Sequence, residues 1–150
     1  MEHLLTNLKT AIFKVLEQMF FLLPDEDAEG VESAAQPVSV FIGISGKPAY
    51  RIGLTFDYGM AGTMTADLLG IDGVEPDKDM ILKNLKETAN IIGGNFLLSF
   101  DSRENRNVTL PSIDKNDIFG DAAPDEELTM SLSFDGRRMD VTLDRIDAVS

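Results

Sequence analysis

With 150 residues, 43% of them hydrophobic and 26% charged, the chain has the make-up of an ordinary soluble globular protein of one domain. Its formal charge of -13, from 26 acidic against 13 basic residues, argues against binding nucleic acid or an anionic membrane and favours a partner with a basic patch. Zero cysteines exclude disulfides and thiolate metal sites and fit a reducing cytoplasm, and His3, the only histidine, argues against histidine-based catalysis or metal binding.

Residues 2–22 read as an amphipathic helix, because Leu4, Leu8, Ala11, Ile12, Val15, Leu16, Met19 and Phe20 recur at three- and four-residue spacing. Lys9, Lys14 and Glu17 interrupt it, so neither a signal peptide nor a membrane span is expected. Pro24 and the acidic run Asp25-Glu26-Asp27 end the helix, and a loop rich in acids and small residues runs on through Ala35. The Phe20-Phe21-Leu22-Leu23 cluster reads as core packing or a subunit contact. Val38–Ser45 and Ala49–Phe56 form two strands of a hairpin across Gly46-Lys47-Pro48. Ala61–Leu69 is a short helix closed by Gly70.

The stretch from Asp77 to Phe100 is a long helix with Asp77 as its N-cap. At ~100° per residue, Ile81, Leu85, Ala89, Ile92 and Phe96 fall in one sector roughly 80° wide, the stripe of a helix laid on a core. The same arithmetic puts Lys83, Glu87, Asn90 and Gly94 within roughly 60° of each other on the opposite side. Asn is a poor helix former, and Gly93-Gly94 costs on the order of 1–2 kcal/mol against alanine. A Glu and an Asn on a solvated helix face are common, and by themselves they locate a face without naming its use.

Beyond the helix, the polar run from Asp101 to Asn107 is a loop, and Val108–Ile113 reads as a strand whose Pro111 puts it at an edge or breaks it. The acidic stretch 114–127 fails a calcium-loop spacing, since Ile118 stands where an oxygen ligand is needed, and reads as a solvated loop. Leu128–Phe134 and Arg138–Ile146 form a second hairpin across Asp135-Gly136. The order of elements gives an α+β fold, an antiparallel sheet with two long helices packed on it. A helix and hairpin followed by a helix and further strands suggests an internal pseudo-two-fold.

Glu87-x-x-Asn90 followed by Gly94-Asn95, with Pro111 some way downstream, resembles the signature of the CheX/CheC/FliY family of chemotaxis phosphatases. The segments ADLLGI and KVLEQMFFL are similar to the CheX-like branch, so the likeness covers most of the chain. Two departures stand out. Family members often carry Asp or Ser where this chain has Lys83, and Glu17 is followed three residues on by Phe20, so no second E-x-x-N is present on the first helix. The resemblance implies a single site and, as in the CheX-like branch, a homodimer.

The resemblance further implies a substrate that is itself a protein, the phosphorylated receiver domain of a CheY-like response regulator. Asn90 would orient the attacking water and Glu87 would dock a lysine of the receiver, making these two the expected catalytic pair. Lys83 and Gly94 complete the expected partner-binding face, Gly94 by leaving room for close approach. No cofactor of the chain's own is implied, only Mg²⁺ in the receiver. The alternative is a non-catalytic docking or scaffold protein of the chemotaxis or flagellar-switch type.

Overall fold

The computed structural model describes residues 1–150 except Glu29, Ser33, Asp72 and 148–150, so Glu29 and Ser33 of the expected loop before Ala35 lie outside it. The elements follow in the order α1 (Glu2–Phe20), β1 (Pro37–Ile44), β2 (Ala49–Asp57), α2 (Tyr58–Leu69), α3 (Lys78–Leu97), a 3-10 turn (Lys115–Asp117), β3 (Glu126–Phe134) and β4 (Arg137–Ile146). The strands form one antiparallel sheet in the order β1-β2-β4-β3. It consists of two hairpins joined through their inner strands, in the register Ile52↔Leu143, Leu54↔Val141 and Phe56↔Met139. All six of these side chains are buried on the helix-covered face, and β2 is buried on its other face too over most of its length. Each hairpin is preceded by a long helix, and the hairpins are arranged symmetrically about the β2–β4 pair, the pseudo-two-fold expected from the order of elements. Among the described residues, helix α2 has no counterpart in the second half, and no helix is long and apolar enough to cross a membrane.

Local chemistry accounts for the boundaries. Asp57 caps α2 by accepting from the amides of Gly59 (2.7 Å) and Met60 (3.3 Å), which starts that helix three residues before the expected Ala61. Helix α1 stops at Phe20, two residues short of the expected end, because Phe21 turns into the left-handed region at φ 55. The apolar cluster there divides: Phe20 is buried, whereas Phe21 and Leu23 are exposed.

The expected strand at Val108–Ile113 is not a continuous one. It lies along the free edge of β1 and touches it through isolated bridges, Ile44↔Val108 and Phe41↔Ser112. Phe41 and Ser112 exchange both backbone hydrogen bonds (2.7 and 2.9 Å), and the Thr109 amide donates to the Gly43 carbonyl at 2.8 Å. Pro111, lacking an N–H, cannot extend the ladder, so the edge is covered without a fifth strand.

The acidic stretch 114–127 keeps its carboxylates in solvent but is not detached from the fold. Asp114 accepts from the Asn116 amide at 2.9 Å, and the turn it caps sets Ile118, 2% exposed, on the sheet face away from the helices. Gly43 makes room there, since a Cβ on it would stand 2.8 Å from Ile118 and 2.6 Å from Phe119. Arg51 fixes the arrangement. It is paired with buried Asp144 at 3.0 Å, and its Nη1 donates to the carbonyls of Ile118 (3.1 Å) and Gly120 (3.2 Å).

Three outcomes follow for stability. Arg51→Met leaves Asp144 buried and unpaired and is expected to cost about 3–5 kcal/mol in urea unfolding. Asp25 accepts from the Ser133 hydroxyl and the Gly136 amide, and these bonds, the hydroxyl foremost, hold its carboxyl below the usual range. A depressed carboxylate stabilises the fold above its unfolded-state pKa and loses that contribution as pH falls through the folded value. Asp25→Asn is therefore less stable than the native chain at pH 7, and the gap in unfolding midpoint closes on acidification. On α3, a Cβ at Gly94 would meet nothing, whereas one at Gly93 would stand 3.0 Å from Val108 and 3.3 Å from Ile42. Thermal unfolding should show Gly94→Ala gaining up to ~1 kcal/mol from helix propensity and Gly93→Ala gaining nothing, because Val108 and Ile42 must shift to admit its Cβ.

Candidate functional site

Helix α3 is held from its first turn. The Asp77 side chain accepts from the Met80 amide at 2.9 Å, and the stripe Ile81, Leu85, Ala89, Ile92 and Phe96 is at most 1% exposed. That stripe packs on β1 and α1, and the bare backbone of Gly93 lets the helix come close to Ile42 and Val108. A helix fixed this way holds its outer residues on a rigid support. Lys83, Glu87 and Asn90 are exposed on that outer face, and Gly94 is half-buried one turn further on. Among the described residues, the side chains of Glu87 and Asn90 have no hydrogen bond or ion pair within the chain, so a carboxylate and a carboxamide stand one turn apart and uncommitted. Asn95, by contrast, is used locally, donating to the Ile91 carbonyl at 3.0 Å.

A groove of about 490 Å³ runs beside Asn90, between α3 and the segment bridged to β1. Lys83, Glu87 and Asn90 form one wall, and Leu110, Pro111 and Ile113 form the other. Leu110 is 87% exposed, an apolar side chain offered to solvent at the rim.

On the other side of the same crest, a second groove of about 490 Å³ lies between α3, α2 and the end of α1, and it too is lined by Lys83 and Glu87. Asn84 lies in it, 6% exposed. Its Nδ2 donates to the Thr65 hydroxyl at 3.0 Å, while its Oδ1 is buried with no partner. An orphaned buried acceptor of this kind costs about 1–3 kcal/mol. Asn84 was missed in the sequence because it stands on the shoulder of the apolar stripe. No sequence signal marks its partner either, since α2 also carries Thr63 and Asp67, and only the fold shows that Thr65 is the buried one.

A larger cavity, about 1230 Å³, lies elsewhere, among His3, Tyr50, Phe100 and Arg106. Its most prominent cation is already engaged: Arg106 stacks on Tyr50 (5.6 Å) and Phe100 (5.1 Å) and donates to the Pro48 carbonyl at 2.7 Å. This seam ties the β1–β2 turn to the loop after α3, a structural use of the arginine. Among the described residues no three His, Asp or Glu side chains cluster as metal ligands.

No curated protein of assigned function matches the sequence at a significant level. Solved structures do match in fold. The CheX of a CheX–CheY–BeF3–Mg²⁺ complex from Borrelia burgdorferi is 23% identical, with TM-score 0.68 over 95% of this chain and 97% of that one. A chemotaxis protein CheX from Desulfovibrio desulfuricans is 18% identical, with TM-score 0.73 over 95% and 99%. FliY from Thermotoga maritima is more distant, 13% identical with TM-score 0.58 over 97% and 87%. The family model described as "Chemotaxis phosphatase CheX" matches residues 38–134, which takes in β1, β2, all of α2 and α3, the bridged edge segment and β3. On that match the chain belongs to the CheX family.

Proposed function

We propose that the chain is a protein phosphatase that removes the aspartyl phosphate of a CheY-like response regulator, with Asn90 and Glu87 as its working pair. The observation that carries this reading is the pair itself: two exposed, uncommitted polar side chains one turn apart on a helix whose other face is wholly buried. Family membership and the fold neighbour bound to CheY, BeF3 and Mg²⁺ support it.

Hydrolysis of an aspartyl phosphate joins a water oxygen to phosphorus, breaks the bond between phosphorus and the carboxylate oxygen, and yields inorganic phosphate and free aspartate. Mg²⁺ belonging to the receiver supplies charge neutralisation of the phosphoryl oxygens. What remains is to hold the water in line. The carboxamide of Asn90 suits that task, since its oxygen accepts a hydrogen bond from the water, its nitrogen donates another, and it carries no charge to repel the phosphoryl group. The carboxylate of Glu87 would be repelled by that group, so it serves by pairing with a lysine of the receiver and setting its orientation. Gly94 keeps the approach open, because nothing in the chain itself requires a glycine there. Lys83, one turn before Glu87, joins the partner-binding face and places a positive charge beside a phosphorylated, Mg²⁺-bearing surface.

Residues 1–150 work as a single CheX-like domain in this reading, in the cytoplasm, as a homodimer with one site per subunit. The test is phosphate release from chemically phosphorylated CheY-like receivers. The native chain is expected to accelerate it, Asn90→Ala to lose on the order of 10²-fold or more in turnover with binding largely kept, and Glu87→Ala to weaken binding roughly tenfold or more. Full activity in Asn90→Ala would falsify the assignment. Binding to a receiver without any change in phosphate lifetime would point instead to a docking or scaffold role.

A further inference from the structure

We propose that the second groove, between α3, α2 and the end of α1, is where the phosphorylated receiver is selected, by taking up an apolar side chain of the receiver. This rests on the phosphatase reading and extends its interface. The groove is walled by Met19, Leu68, Leu69, Met80 and Ile91, and of these Leu68, Leu69 and Met80 are 46%, 50% and 44% exposed. Apolar side chains left this open on two helices facing one concavity are a surface prepared for burial.

A second observation points to a ligand. The Thr65 hydroxyl spends its hydrogen on the Ala61 carbonyl at 2.8 Å, so its oxygen can only accept. That fixes the Asn84 amide with Nδ2 toward Thr65 at 3.0 Å, and leaves Oδ1 without a donor. Asn84 is 6% exposed and lines the same groove as the open leucines, its orphaned acceptor covered beneath the groove wall. An occupant that brings an aliphatic or aromatic side chain together with an N–H or O–H donor satisfies both features once the Asn84 side chain shifts enough to present its oxygen.

The occupant is a receiver and not a second copy of this chain because of what the groove shares with the candidate site. Glu87 and Lys83 line both grooves, so a protein docked over Asn90 overhangs this one. A second copy seated here would cover Glu87 and block the site. The charge pattern agrees. On a chain of formal charge -13, the only charged side chains lining the groove among the described residues are Lys83 and Glu87, one of each sign, which suits an uncharged contact. The groove therefore acts as a specificity-determining surface beside the catalytic pair.

The experiment measures the affinity of CheY-like receivers, activated with beryllofluoride and Mg²⁺ as a stable phosphoryl mimic, for the native chain, for the double variant Leu68→Asp/Leu69→Asp, for Asn84→Ala and for Glu87→Ala. Both leucines are half-exposed, and the milder Leu69→Ser covers the case in which the double variant unfolds. The expected result is a Kd raised about tenfold or more by the double variant and measurably by Leu69→Ser and Asn84→Ala. Turnover at saturating receiver and the sedimentation coefficient should stay unchanged in the leucine variants. A Kd unmoved by the groove variants but raised by Glu87→Ala overturns the groove and leaves the phosphatase reading standing. A change in subunit association marks the groove as a self-interface and overturns it too. Failure of the native chain to bind any receiver overturns both.

Discussion

The close approach of α3 to β1 at Gly93 is the constraint on which the rest of the site depends. With no side chain at that position, the helix settles against Ile42 on the strand and Val108 on the segment bridged to it. One contact thereby brings together the helix that bears Glu87 and Asn90, the strand that anchors it, and the broken edge segment that bears Leu110 and Pro111. The buried stripe from Ile81 to Phe96 then fixes the rotation of the helix, so the outward direction of Asn90 is set by packing and not by any bond of its own. A site with no intrachain partners needs that kind of support, because only rigid surroundings can hold an uncommitted side chain ready for another molecule.

The two adjacent glycines divide the labour. Gly93 faces inward and is consumed by the fold, while Gly94 faces open space. Of the energetic cost of placing two glycines in one helix, the fold accounts for the part at Gly93. Electrostatics divides in a similar way. Among the described residues, the one strongly buried ion pair, Arg51 with Asp144, sits on the far face of the sheet, where it binds the acidic loop through the carbonyls of Ile118 and Gly120. The helix face carries instead two open grooves, one lined by Asp79, Lys83, Lys86 and Glu87 beside its apolar residues and one mostly apolar.

How much of this was legible in the sequence depends on how local the determining interaction is. The stripe and the opposite face of α3 could be read directly, because a 3.6-residue period is a property of the segment itself. The two hairpins were equally plain from alternation and from the Asp135-Gly136 turn. The fate of Val108–Ile113 was not, since its β propensity is local but its pairing is decided by β1, more than sixty residues earlier, and by the missing N–H of Pro111. Ile118 reads as an interruption in an acidic loop, and only Arg51, 67 residues away, shows that the loop is docked. Asn84 is the instructive omission. Its neighbours Leu85, Thr88 and Ala89 define a buried face, and its half-satisfied amide becomes visible only when α2 is laid beside it. The order of elements supplied the α+β fold, and the family resemblance, sharpest in the short motif from Glu87 to Asn95, supplied a use for the face that periodicity could only locate.

The measurement that tests the central claim most directly is the lifetime of the phosphoryl group on a receiver held in saturated complex with Asn90→Asp. This substitution keeps the size and shape of the side chain but replaces the uncharged donor and acceptor with a carboxylate that can only accept. If Asn90 works by orienting water beside an anionic phosphoryl group, the lifetime in that complex lengthens to nearly that of the free receiver, as it does for Asn90→Ala. An Asn90→Asp complex that hydrolyses as fast as the native one would mean that a general base suffices at this position, and would contradict a water-orienting role for the carboxamide.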